Sequence, residues 1–220
     1  MSGDGSVRGA ASTMSVLRTI RQRQPPDPNV HGCDMCAEPI GDEHSHVVDL
    51  HSRGLLCTCR GCYLLFSSDD AEQRYQAVPD RYLSFPDLRF NPAQWDALQI
   101  PVGLAFFFVN SLLGKTIAFY PGPAGVTESE LPLESWDSVL AANPAMTVLR
   151  PDVEALLLRA PAPDQPGFRC YLVPIDTCYE LAGRLRMVWH GFDGGSEARQ
   201  AIEDFFARTE QRSTPAPEAS

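Results

Sequence analysis

The feature that most constrains this chain is a pair of Cys-x-x-Cys motifs, Cys33/Cys36 and Cys59/Cys62, with 22 residues between them. Two short loops that each offer two thiolates are what a tetrahedral four-sulfur site requires. Between the motifs, HSHVVDL and GLLCT read as two short strands around a turn at Ser52, Arg53 and Gly54, with Gly54 expected to take the positive φ. A hairpin of that kind sets the two loops face to face. Four protein ligands leave no open position, so the spacing predicts a closed structural zinc site, held in a small zinc-ribbon-like module over residues 31–66.

Four other residues compete for the site. By strand alternation Cys57 falls on the same side as Cys59, and counting from Cys36 it leaves 20 intervening residues instead of 22, so spacing alone does not separate the two. Cys59 is preferred because it forms the tight CRGC turn with Gly61; Cys57 is then a packed thiol or a spare one with a pKa lowered by the metal and Arg60. His44, His46 and His51 lie between the pairs, as alternate ligands, as hydrogen-bond donors to the sulfurs, or simply as surface residues. Cys170 and Cys178 fall on apolar faces and read as inert core thiols. Iron is the alternative cofactor for the same four sulfurs, but the rubredoxin pattern follows each pair with Gly, where this chain has Ala37 and Tyr63.

Charge and patterning limit what the rest can do. With 18 basic and 28 acidic side chains the net charge is -10, which disfavours nucleic acid as a partner. The longest apolar run, 100–114, is interrupted by Asn110 and Ser111 and falls short of the roughly 20 residues that span a bilayer. No apolar leader opens the chain, and its cysteines are odd in number, so a cytoplasmic, reducing setting is expected.

Residues 1–30 and 211–220 read as disordered tails, and 67–210 as an α+β body with a mostly antiparallel sheet and helices packed on it. Tyr63, Leu64, Leu65 and Phe66 are expected to pack the module onto that body. A capping box at Asp69 and Glu72 predicts a short helix ending before Pro79, and Asn91 with Pro92 a second one through Trp95 and Leu98. Strands are expected over 104–109, 116–120, 153–158 and 168–173, with Pro121 to Gly125 closing the first hairpin. Helices are expected where Ser135, Thr177 (with Glu180) and Ser196 act as caps. No phosphate-binding loop, Gly-x-Gly-x-x-Gly or Gly-x-Ser-x-Gly occurs.

The module CDMC…CTCRGCYLLF, followed by YLVPIDTCYELAGRLR…WHGFDGG, resembles an uncharacterised actinobacterial family encoded beside the structural and maturation genes of uptake nickel-iron hydrogenases. The resemblance covers Cys33 to Phe206 and implies an accessory protein of hydrogenase assembly or operation, with Cys33, Cys36, Cys59 and Cys62 as its metal site. The expected function is therefore a non-enzymatic zinc-binding protein contacting hydrogenase subunits or maturation factors. The alternatives are a rubredoxin-like carrier of single electrons, and a thiol-dependent or metal-delivery protein using Cys57.

Overall fold

The computed structural model describes residues 31–68, 74–122, 125–129, 134–162, 165–191 and 194–217. The chain enters through the first cysteine loop and a hairpin of β1 (Ser45–Asp49) and β2 (Gly54–Thr58), then a short helix α1 (Arg60–Leu65). Strand β3 (Tyr75–Ala77) returns to pair antiparallel with the free side of β1, giving a three-stranded sheet in the order β2-β1-β3. The module's sheet thus takes its third strand from beyond Phe66. The tight turn differs from expectation in one respect: the left-handed residue is Arg53, at φ 56, while Gly54 opens the strand.

The body follows as β4 (Leu83–Ser84), α2 (Pro92–Ala97), β5 (Leu104–Asn110), β6 (Lys115–Gly122), β7 (Gly125–Glu128), α3 (Glu134–Ala142) and a 3-10 turn over Pro144–Val148. Then come β8 (Glu154–Arg159), β9 (Arg169–Pro174), α4 (Ile175–Val188), α5 (Gly195–Arg212) and β10 (Thr214–Pro215). Seven strands form one sheet in the order β10-β4-β9-β8-β5-β6-β7, antiparallel throughout except where β10 joins β4 in parallel. The fold is α+β with a mostly antiparallel sheet, as the patterning predicts.

Strand alternation decides the layers. Phe106, Ala155, Leu157, Tyr171 and Val173 face α4 and α5, meeting Leu181, Leu185, Ala198, Phe205 and Phe206 in one core. Their neighbours Ala105, Phe107, Leu156, Leu158, Cys170 and Leu172 face the opposite way, towards Trp136, Val139 and Met146, with the Phe107 and Trp136 rings stacked at 3.8 Å. Both faces are apolar, so the central strands β5, β8 and β9 are covered on two sides. Val48 of β1 belongs to the first core, and this, not the YLLF segment, fixes the module to the body. Leu64 and Leu65 are 53% and 68% exposed.

Several expected boundaries move. The Asp69 and Glu72 capping box lies outside the described residues, but Tyr75–Ala77 is strand where that helix was expected to run. Helix α4 starts at Ile175, two residues before Thr177, whose hydroxyl lies 2.7 Å from the Tyr82 hydroxyl instead of capping. Gly194 in the left-handed region, not Ser196, precedes α5. Glu134 is already helical, so Ser135 lies inside α3 and is not its cap. Helix α2 has its expected cap, with Asn91 and Gln94 bonding reciprocally. Beyond Gly122 the chain adds β7 where a closing turn was expected, so the hairpin becomes a three-stranded meander. At the C-terminal end, residues 211–217 are not a disordered tail: α5 runs to Arg212 and β10 caps the sheet edge, with the Arg212 guanidinium 4.0 Å over the Tyr82 ring. The expected tail over residues 1–30 lies outside the described residues.

Candidate metal centre

The first cysteine loop is a compact turn. The Cys33 amide donates to Glu38 O and the Ala37 amide to Cys33 O, both at 2.8 Å, and a bridge between Gly32 and Pro39 closes its base. Ala37 occupies the left-handed region at φ 62, the conformation for which a glycine is the usual choice. The second loop begins where β2 ends. Cys59 is the N-cap of α1, and its sulfur accepts the Cys62 amide at 3.5 Å. Asp34 joins the two loops: its amide donates to Cys57 O at 2.8 Å and its carboxylate accepts the Cys57 amide at 2.7 Å.

The result is that the sulfurs of Cys33, Cys36, Cys59 and Cys62 lie within 4.8 Å of one another, and none of these cysteines forms a disulfide. Cys36 Sγ and Cys59 Sγ are 3.6 Å apart. A zinc–sulfur length of about 2.3 Å sets the edge of a regular tetrahedron at about 3.8 Å, so this spacing suits a bound ion. Crowding of the sulfurs shows in their acidity. Burial raises the Cys33 thiol, yet amide hydrogen bonds from Cys59, Met35 and Cys36 outweigh it and hold the pKa at about 6. Hydrogen bonding with Cys36, then burial and the remaining sulfurs, push Cys62 up to about 12. The Cys33 thiolate forms readily while Cys62 resists; a divalent cation removes that repulsion. The four-cysteine cluster can therefore hold a metal ion.

Residues 32–213 match the model of DUF5947, a family of unknown function. The chain belongs to the DUF5947 family. No curated protein and no solved structure matches it.

In this DUF5947 chain Cys57 stands apart from the four sulfurs. Alternation predicts that it shares a side with Cys59, but β2 ends at Thr58 and Cys59 already turns into α1, so the period of two no longer applies. Cys57 is instead paired across the hairpin with His46, and it forms a second group with His44 and His46 whose ligand atoms lie within 4.8 Å of one another. Burial, then the charge of Asp34 and Cys33, raise its thiol pKa, the reverse of the lowering expected from Arg60. Arg60 lies over the Tyr63 ring, 5.0 Å from its centre. His51 belongs to neither group and sits exposed on the β1–β2 turn. Cys170 and Cys178 are buried in the two cores and burial raises both thiols, as expected of inert packing residues.

Sequence reasoning overlooked two residues. Asp34, inside the first motif, gives no sign of its pairing with Cys57. Asp176 reaches from the body to the module, its carboxylate accepting from His46 Nδ1 at 2.8 Å. Among the described residues no helix is long and apolar enough to cross a membrane.

Proposed function

We propose that Cys33, Cys36, Cys59 and Cys62 bind a structural zinc ion, and that the chain acts without turnover as an accessory protein contacting a protein partner. The observation that carries the metal is the convergence of four sulfurs from two loops, with the 3.6 Å Cys36–Cys59 separation that suits tetrahedral coordination. Four ligands fill the coordination sphere, which supports a structural role. The same ligand set serves iron, and the metal's identity is the first thing to measure. The partner follows from the resemblance to proteins encoded with uptake nickel-iron hydrogenases: a hydrogenase subunit or maturation factor in the cytoplasm. Exposed Leu64 and Leu65, which follow Cys62 and Tyr63, offer an apolar contact for it.

Protein purified anaerobically without added metal is expected to contain zinc, to be colourless, and to lose one equivalent on Cys62→Ser. Iron with a reducible charge-transfer band would overturn this in favour of a single-electron carrier. Tagged protein expressed beside a hydrogenase operon is expected to retain hydrogenase or maturation proteins, and Leu64→Glu/Leu65→Glu to release them. Failure of the wild type to retain any of them refutes the partner assignment while leaving the metal assignment intact.

A further inference from the structure

The second group, His44, His46 and Cys57, has the organisation of a metal site in its own right. His44 lies just before β1, His46 is the second residue of that strand, and register places Cys57 of β2 directly opposite His46. The two imidazole rings are 4.7 Å apart. Each uses Nδ1 on an oxygen that can only accept: His44 on Gly41 O at 2.8 Å and His46 on Asp176 Oδ2 at 2.8 Å. Both rings are therefore held in the Nδ1–H tautomer, which leaves Nε2 as the nitrogen with a lone pair. This is how metal-bound histidines are oriented, with a carbonyl or carboxylate behind the ring. His44 Nε2 is buried and has no hydrogen-bond partner. A buried polar atom without a partner costs free energy, and a cation at this point would satisfy it.

We propose that His44 Nε2, His46 Nε2 and Cys57 Sγ form a second transition-metal site, separate from the four thiolates. Two imidazoles and one thiolate suit zinc and similar divalent ions of intermediate softness. Three protein ligands leave the fourth position to water or a small donor molecule, in contrast to the closed tetrathiolate. His44 and His46 line a cleft of about 810 Å³ between the module and the body, which gives that position an outlet. Asp176 is a positioning residue: placed on the first turn of α4, it ties the histidine's orientation to the body.

Anaerobic Co2+ titration of the full chain reads the site directly, because a thiolate bound to Co2+ gives a sulfur-to-metal charge-transfer band. The expected result is one equivalent beyond what the four thiolates hold, with a single-thiolate spectrum. Cys57→Ser should abolish that band, His44→Gln should remove the added equivalent, and Asp176→Asn should weaken it about 10–100-fold. Cys62→Ser should leave it in place. Saturation with no equivalent beyond the tetrathiolate overturns the proposal, as does an unchanged spectrum in Cys57→Ser. A chain that takes up only the single-thiolate equivalent refutes the tetrathiolate reading and leaves this site standing.

Discussion

Removing the metal proposed for the four thiolates should open the two cysteine loops while leaving the hairpin between them folded. Little else holds the loops: among residues 31–40 Cys33 is the one buried side chain, and α1 buries none. By contrast Val47 is 0% and Val48 7% exposed, and Val48 is packed in the body's core. Metal at a thousandfold excess over its dissociation constant contributes about 4 kcal/mol, and where binding supplies nearly all of the local stability this becomes about a thousandfold in the opening equilibrium. Hydrogen exchange followed by mass spectrometry, with and without a strong chelator, measures that factor. The amides of Cys33, Ala37, Ile40 and Tyr63, all hydrogen-bonded to backbone within the two loops, should lose about three orders of magnitude of protection. The amides of β1 should change little. Equal protection of the loops in both conditions would refute the reasoning, since it would mean that they stand without metal.

Other consequences follow from charge pairs and backbone geometry. Glu154 is fully buried and takes two hydrogen bonds from Arg81, at 2.8 and 2.6 Å, and one from the Arg150 amide at 2.8 Å. Arg81→Met strands that carboxylate and should cost about 3 kcal/mol, the lower end of the usual range because Arg81 is one-third exposed. Calorimetry should show Tm falling by about 6–12 °C, and Arg81→Met/Glu154→Leu should recover most of it. At Ala37, φ 62 predicts that Ala37→Gly stabilises by about 0.5 kcal/mol and that Ala37→Val destabilises by about 1–2 kcal/mol, read from urea midpoints. The Arg74 guanidinium beside Asp49 holds that carboxyl well below the usual carboxylate range, helped by the His51 and Ser52 amides. A folded-state pKa below the unfolded one contributes stability above about pH 4 that is lost as pH falls, and Asp49→Asn should flatten that acid limb in urea titrations from pH 7 to 2.5.

Much of the fold is legible because the strands are long, apolar and rich in aromatic and branched residues. LAFFFV, TIAFY, EALLLR and RCYLVP each declare themselves, and their short connections indicate antiparallel pairing. The strands that were missed are those whose stability comes from the partner. Tyr75–Ala77, Leu83–Ser84, Gly125–Glu128 and Thr214–Pro215 span two to four residues each, too few for any period to show, and exist because an edge was available. Helix starts failed for a related reason. Thr177 with Glu180 has the composition of a capping box, but Pro174 already fixes the chain direction, and the Thr177 hydroxyl is more useful beside Tyr82. Tertiary contact overrode a local rule in each case.

For the site, two Cys-x-x-Cys motifs name the four sulfurs because each motif is local and the hairpin between them is short. Choosing between Cys57 and Cys59 needs more, since it turns on where β2 stops. Had the strand continued past Thr58, Cys57 and Cys59 would share a face and compete for one ion. Its end lets Cys59 swing into α1 as the N-cap, while Cys57 stays in register with His46. A signal for this did exist: His-x-His places two imidazoles on one side of an extended chain, and a hairpin closed at Arg53 pairs His46 with Cys57. What no local pattern supplies is the carboxylate behind His46. Asp176 lies 130 residues away, and it arrives there only because Val48 docks the module against the core from which α4 springs. The packing that joins module to body thus also determines which nitrogen His46 leaves free.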